Sequence, residues 1–220
     1  MNFALVTAHN EAYQPLADIT WDQNKKLYAQ KHGYDAIAKT SNFKLPISGG
    51  ISFERSELII ELLESGKYDW IHAVGGDTMI TNFNIKLEDL VDNDYDFVIA
   101  VDCYNINNDS MLIRNAPSSI AWLKHVVNSY EEYKHYQWFD QQCMIDTIDM
   151  MGDRIKIVPQ RTLNSYNYDL YPIEPHIFKK DLMGNSGQWE PGDFLIHWPA
   201  IPIDQRIVMA TDMLAQVVND

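Results

Sequence analysis

The chain is short of the features that announce several common protein classes. It has only two cysteines in 220 residues, Cys103 and Cys143. That excludes a disulfide scaffold and a zinc ribbon, and Cys143 beside Met144 and Ile145 reads as a buried free thiol. Basic residues are few: 17 Lys and Arg against 31 Asp and Glu give a net charge of −14, with no Lys/Arg run. A nucleic-acid partner is disfavoured by that balance. No window reaches the ~20 apolar residues of a membrane span, and Met1–Val6 lacks a basic leader. With the scarcity of cysteine, this reads as a soluble protein of a reducing, cytoplasmic compartment. The seven histidines show no H-x₃-H spacing, so a zinc site is disfavoured. There is no G-x-G-x-x-G, Walker loop or G-x-S-x-G, which removes support for dinucleotide, kinase and serine-hydrolase chemistry.

What is present is a large apolar fraction, 46% of residues, distributed as alternating strand and helix patterns. Phe3–Ala8, Tyr34–Ala38, Trp70–Val74, Phe97–Val101, Ser110–Arg114, Arg154–Val158 and Phe194–Trp198 read as strands. Leu16–His32 reads as a helix stopped by Gly33, and Ile51–Leu63 as one stopped by Gly66, with Leu58, Ile59, Leu62 and Leu63 on its apolar face. Phe83–Val91, Pro117–Tyr130, Asp140–Met151 and Ile203–Val218 complete the predicted helices. Thr162–Trp189 is rich in Asn, Tyr, Asp and Pro and lacks periodicity. The pattern predicts one α/β domain whose C-terminal third is irregular.

Four places could carry chemistry. Trp70, Ile71, Ala73 and Val74 form a buried strand that runs into Gly75, Gly76 and Asp77. Asp77 would then stand at the carboxyl end of a strand, where open α/β sheets bind ligands, as an oxygen ligand for a hard cation on a diphosphate; a tight turn with a capping Asp reads equally well. Thr7, Ala8, His9 and Asn10 end the first strand, either as a simple exit or as the edge that reads a base and ribose. Asp140 and Gln141 open a helix, as a cap or as a pair that orients a sugar. His197 sits in an apolar run, as a satisfied core group or, if it approaches Asp77, as a metal ligand.

In combination these blocks resemble the GT-A glycosyltransferases, most closely galactosyl/xylosyltransferase family 34, with a soluble, chlorella-virus-encoded form of the fold as the nearest comparison. The family's W-I-W-x-D-A-D-A-L-I-T-N corresponds to Trp70–Asn82, with one residue of slack. Its N-T-G-S-F-L-L-R-N corresponds to Asn107–Asn115, its D-D-Q-S-A to the stretch starting at Phe139, and its late T-H-F to Ile196-His197-Trp198. The resemblance implies a GT-A fold, with a central mostly parallel mixed sheet flanked by helices, in a single domain over 1–220. The nucleotide-binding part would cover about 1–105 and the acceptor side about 106–220. It implies a UDP-sugar donor, a glycan or glycoprotein acceptor, Mn²⁺ or Mg²⁺, and transfer with retention of anomeric configuration. Carried over by position, Asp77 and His197 ligate the metal, and Asp140 and Gln141 lie at the reacting carbon. Thr7, Ala8, His9, Asn10, Tyr13, Arg55, Gly75, Gly76 and Arg206 surround the nucleotide sugar.

The chain departs from the family at three points. Gly75 stands where the first acid of D-x-D belongs, which leaves either a weaker metal site or Asp102 as the source of the missing carboxylate. Phe139 replaces the first acid of D-D-Q. Pro202 falls on the family's late Lys, with Arg206 as the expected replacement charge. Two other classes compete: a non-catalytic carbohydrate or nucleotide-sugar binding module, favoured by Gly75 and Phe139, and a nucleotidyltransferase, which needs a basic glycine-rich loop that Thr7–Tyr13 lacks. The Tyr166–Trp189 stretch reads as an acceptor platform or lid, or as an irregular surface loop.

Overall fold

The computed structural model describes residues 1–171 and 179–219. A six-stranded sheet in the order β2-β1-β3-β6-β5-β7 forms the centre. Its strands are β1 (Phe3–Ala8), β2 (Asp35–Lys39), β3 (Trp70–Val74), β5 (Phe97–Val101), β6 (Ile106–Arg114) and β7 (Ile155–Val158). The pairs β1·β2, β1·β3 and β5·β7 are parallel, whereas β6 runs antiparallel to both of its neighbours. A second, three-stranded sheet joins β4 (Thr78–Ile80), β9 (Leu195–His197) and β8 (Ser165–Tyr166) in that order. This is the expected mixed α/β architecture.

Alternation along the strands divides the core into two layers. Ile71 and Ala73 of β3, with Ile99, Met111 and Ile113, pack on Phe53, Ile59 and Leu63 of helix α2 (Ile47–Glu64) and on Trp122, Leu123 and Val126 of α3 (Pro117–Asn128). Trp70 and Val74, with Leu5, Val98 and Leu112, face Trp21 and Tyr28 on the other side. Those two residues belong to α1, which joins Gln14–Ala17, a π-helical segment Asp18–Lys25 and Lys26–His32, and ends at Gly33 in the left-handed region (φ 74°). A third apolar group under α5 (Ile203–Leu214) holds Met79, Ile196 and Trp198.

Several boundaries differ from expectation. The predicted helix Phe83–Val91 is a single turn, Leu87–Leu90, because the Phe83 N–H donates to the Val218 carbonyl and residues 83–85 form a turn and bend before it. The helix expected to run to Met151 is α4 (Phe139–Asp146), where the Thr147 hydroxyl takes the Cys143 carbonyl and 3₁₀ turns follow. β6 starts four residues before the predicted Ser110. The early start inserts a bulge: the register against β5 jumps between Ile99↔Met111 and Ala100↔Asn107, leaving Asn108–Ser110 unpaired on that side. Such bulges bend a strand and re-aim its side chains. Cys143 is buried and free, as predicted, and Cys103 is also free.

Candidate functional site

The sheet order creates a crevice. From β1 the chain crosses through α1 to β2 on one side, then through α2 to β3 on the other, so connections diverge at the carboxyl ends of β1 and β3. This is the switch point at which α/β sheets take ligands. A cleft of about 350 Å³ opens there, lined by Ala8, His9, Asn10, Tyr13, Ile51, Ser52, Arg55, Gly75, Gly76, Asp77, Asp109 and Phe139. Eight of the residues singled out from sequence thus share one wall system. Thr7 is buried just behind it, with a hydroxyl that has no hydrogen-bond partner among the described residues. The Asn10 side chain accepts from the Tyr13 N–H at 3.2 Å, which fixes the turn after β1.

Asp77 follows the two glycines and leads into β4, whose residue Thr78 pairs with His197 of β9. That pairing brings residues 120 positions apart together: His197 Nε2 lies 3.5 Å from Asp77 Oδ1. The same nitrogen is 3.6 Å from Asp109 Oδ2. These separations are too long for direct hydrogen bonds, and Nε2, wholly buried, has no hydrogen-bond partner among the described residues. Ligand atoms of Asp77, Asp109 and His197 all lie within 4.8 Å of one another.

The other ring nitrogen fixes the tautomer. His197 Nδ1 is 2.9 Å from Asn164 Oδ1. The Asn164 amide donates to the Tyr166 oxygen at 3.3 Å, and the Tyr166 hydroxyl donates to Asp102 at 2.7 Å. Burial, then the Asp102 charge, raises the Tyr166 hydroxyl well above its ordinary value, so it stays a donor. Asn164 must therefore present its oxygen to the ring and Nδ1 carries a proton, so Nε2 is the nitrogen whose lone pair is available towards the two carboxylates. An imidazole and two carboxylates suit Mn²⁺ or a similar divalent ion, and a polar partner behind the ligating His is the usual second support of such sites. The orphaned nitrogen is the observation that makes the donor set fit.

Charges around Asp77 reinforce this polarity. Arg206 donates to Asp77 Oδ2 at 3.0 Å, to the Tyr13 hydroxyl at 2.8 Å and to the Trp198 carbonyl at 2.9 Å. Burial alone would raise the Asp77 carboxyl, but a proton on His197, when the ring carries one, and the Arg206 charge outweigh it and hold it below the usual carboxylate range. Arg206 thus sets a positive charge directly against the Asp77 carboxylate. Arg55 pairs with Asp109 Oδ1 at 3.1 Å and donates to the Asn108 carbonyl at 3.0 Å.

The expectation for Asp102 is corrected. Its carboxylate accepts from the Tyr104 and Asn105 N–H groups, the Asn107 amide and the Tyr166 hydroxyl, so it orients the network behind His197 and does not join the cluster. Asp109, which the sequence reading passed over, is the second acid. Asp140 is buried; its Oδ2 accepts from the Asn108 amide at 2.9 Å, and burial, partly offset by Arg55, raises its pKa. Gln141 Oε1 accepts from the Asn108 N–H at 3.2 Å. Both are tied to the residue before Asp109, at the N-terminus of α4 beside the cleft. In the C-terminal third, Tyr166 and Tyr168 are buried and do not offer exposed faces; residues 172–178 of the expected platform lie outside the described residues.

The π-helical part of α1 clamps the loop that carries Asp77, a role the sequence did not reveal. Thr20 donates to the Gly76 carbonyl at 2.8 Å, and Asn24 exchanges two hydrogen bonds with Ile80. Lys25, wholly buried, donates to the Gly75 carbonyl at 3.0 Å and the Thr78 carbonyl at 2.5 Å. Burial lowers its pKa to about 7, against the opposing pull of Asp77 and Asp109. π-Helical segments recur at functional sites for this kind of local aiming.

The whole chain superposes on solved glycosyltransferases. A glycosyltransferase involved in glycosylation of the major capsid of PBCV-1 matches with a TM-score of 0.76 and 14% identity over 96% of this chain and 100% of that one. GlyE of Streptococcus pneumoniae TIGR4 matches at 0.58 and 16% identity, over 98% of this chain and 63% of that one. The galactosyltransferase LgtC, solved with donor and acceptor sugar analogues, matches at 0.53 and 13% identity, over 99% and 97%. No curated protein sequence matches the chain. Residues 5–94 match the model of the galactosyl transferase GMA12/MNN10 family, so the resemblance read from the motifs is borne out, and the chain has the fold of the GT-A glycosyltransferases.

Proposed function

We propose that the chain is a metal-dependent glycosyltransferase that moves a sugar from a UDP-sugar to a glycan acceptor with retention of configuration. One observation carries the reading: a buried imidazole nitrogen with no hydrogen-bond partner faces two carboxylates at the mouth of the switch-point cleft. In the reaction the bond from the anomeric carbon to the diphosphate oxygen breaks, a bond to an acceptor hydroxyl oxygen forms, and the proton of that hydroxyl passes to the released diphosphate. Asp77, Asp109 and His197 would hold a divalent cation, which when bound supplies a Lewis acid for the charge that grows on the leaving diphosphate.

The chain's own residues do the rest. Arg206, anchored on Tyr13 and the Trp198 carbonyl, adds a fixed positive charge on the leaving-group side. Ala8, His9, Asn10 and Tyr13 form the wall for the nucleoside, with Thr7 buried behind them, and Gly75 and Gly76 let backbone approach the diphosphate. Asp140 and Gln141 orient the sugar and stabilise positive charge at the anomeric carbon, with Arg55 holding the bulge beside them. Nucleotide binding falls to about 1–105 and acceptor binding to about 106–220. Thermal-shift measurements with UDP and a panel of UDP-sugars, with and without Mn²⁺, test the donor class. A shift confined to uridine compounds in the presence of metal is the predicted result, and no shift with any nucleotide contradicts it. UDP release separates an enzyme from a binding module, and the anomeric configuration of the product, read by NMR, tests retention.

A further inference from the structure

Of the two acids of the site, Asp77 lies in the turn after β3 and Asp109 on β6, and the glycine at the head of that turn is the other half of the arrangement. A Cβ built on Gly75 would lie 2.7 Å from Asp109 Oδ1, 3.0 Å from Asp109 Cγ and 3.0 Å from Asp77 Oδ1. The carboxylate of Asp109 therefore fills the volume a side chain at 75 would occupy. The backbones are joined as well, since the Gly75 N–H donates to the Asp109 carbonyl at 2.8 Å. The β6 bulge brings Asp109 to this place, and Arg55 holds it there through one carboxylate oxygen while the other faces His197.

We propose that Asp109 is a metal ligand transferred from the turn after β3 to β6: its carboxylate does the work of an acid at position 75, and Gly75 is glycine because Asp109 is present. The inference rests on the metal reading of the site and adds a pairing rule to it. Residues 75 and 109 can hold one acid between them, in the turn or on β6, with a glycine opposite. Arg55 then acts as a positioning residue, since it fixes which Asp109 oxygen is left for the ion.

The test is Mn²⁺ titration in the presence of UDP, with free Mn²⁺ followed by electron paramagnetic resonance, on the full chain and on D77N, D109N, D109G, G75D and G75D/D109G. Circular dichroism confirms that each is folded, and D109N, which keeps the side-chain shape, covers the case in which D109G does not fold. D109N and D109G should bind Mn²⁺ at least about tenfold more weakly, since even outer-shell partners carry roughly 10–100-fold. G75D/D109G should recover most of that loss, whereas G75D alone, with two side chains in one space, should not bind more tightly than wild type. Wild-type affinity in D109N, or a double variant no tighter than D109G, overturns the transfer. If wild type binds no Mn²⁺, or D77N binds as wild type does, the metal reading itself falls; a loss in D77N without one in D109N sinks only the pairing.

Discussion

Replacing Asp77 with Asn separates the site's charge from its shape. Asp77 is a nearly buried carboxylate that accepts from Arg206 at 3.0 Å and faces His197 Nε2 at 3.5 Å. The amide keeps an oxygen for Arg206, which also retains its bonds to Tyr13 and the Trp198 carbonyl. The cost to folding is then about 1–3 kcal/mol, the usual range for a weakened buried charged hydrogen bond. A chain of this size should lose roughly 2–4 °C in melting temperature per kcal/mol, and relief of the repulsion between Asp77 and Asp109 offsets part of that. Turnover should suffer far more. An electrostatic contact aimed at charge developing in the transition state is worth about 3–4 kcal/mol, or a factor of about 10²–10³ in rate. UDP release from UDP-sugars at saturating Mn²⁺, measured alongside thermal unfolding, gives both numbers. Wild-type turnover in a folded D77N protein would refute the reasoning.

Asn164→Ala removes the acceptor for His197 Nδ1–H and should weaken Mn²⁺ binding about 10–100-fold with little change in fold; unchanged affinity would show that the tautomer is fixed elsewhere. Lys25→Met takes two charge-assisted bonds from the Gly75 and Thr78 carbonyls and should raise the Mn²⁺ dissociation constant by loosening the Asp77 turn, as calorimetry would read; an unaltered constant contradicts the clamp. His72, buried in β3 against the Ser110 hydroxyl, has its pKa lowered from 6.5 to about 3, by burial first and then by the Lys25 charge. Between those values the unfolded chain binds a proton that the folded chain refuses, so stability is full above pH 6.5 and falls as pH drops towards 3. The slope is about 1.4 kcal/mol per pH unit. Urea unfolding in EDTA should show a shallower acid loss in His72→Gln, and equal slopes would contradict the assignment.

The parts of the site legible in sequence were those set by local pattern. The apolar run Trp70–Val74, ended by Gly75 and Gly76, located Asp77 at a strand end, and Phe3–Ala8 located the wall at Ala8, His9 and Asn10. His197 could be matched to Asp77 only through the late T-H-F resemblance, because the pairing of β4 with β9 joins segments 120 positions apart. The short strands β4 and β8 left no signal of their own, being fixed by the neighbours they pair with. Asp109 was missed for a related reason. A strand beginning at Ser110 puts Asp109 in a loop, and only the bulge against β5 turns its carboxylate over Gly75. One cue was available: a glycine in place of a motif acid poses the question of which nearby acid fills its space. Asp102 was the wrong answer because its two oxygens are already taken by backbone N–H groups, Asn107 and Tyr166. The clamp from Thr20, Asn24 and Lys25 was hidden because polar residues inside a helix read as its solvent face. The π-helical segment turns them inward.

An anomalous difference map at the manganese edge, from crystals grown with MnCl₂ and UDP, tests the central claim most directly. The account predicts one peak about 2.0–2.3 Å from a carboxylate oxygen of Asp77, a carboxylate oxygen of Asp109 and Nε2 of His197, distances ordinary for such ligands. A peak elsewhere in the protein, or uridine density in the cleft with no ion beside those three side chains, would contradict it.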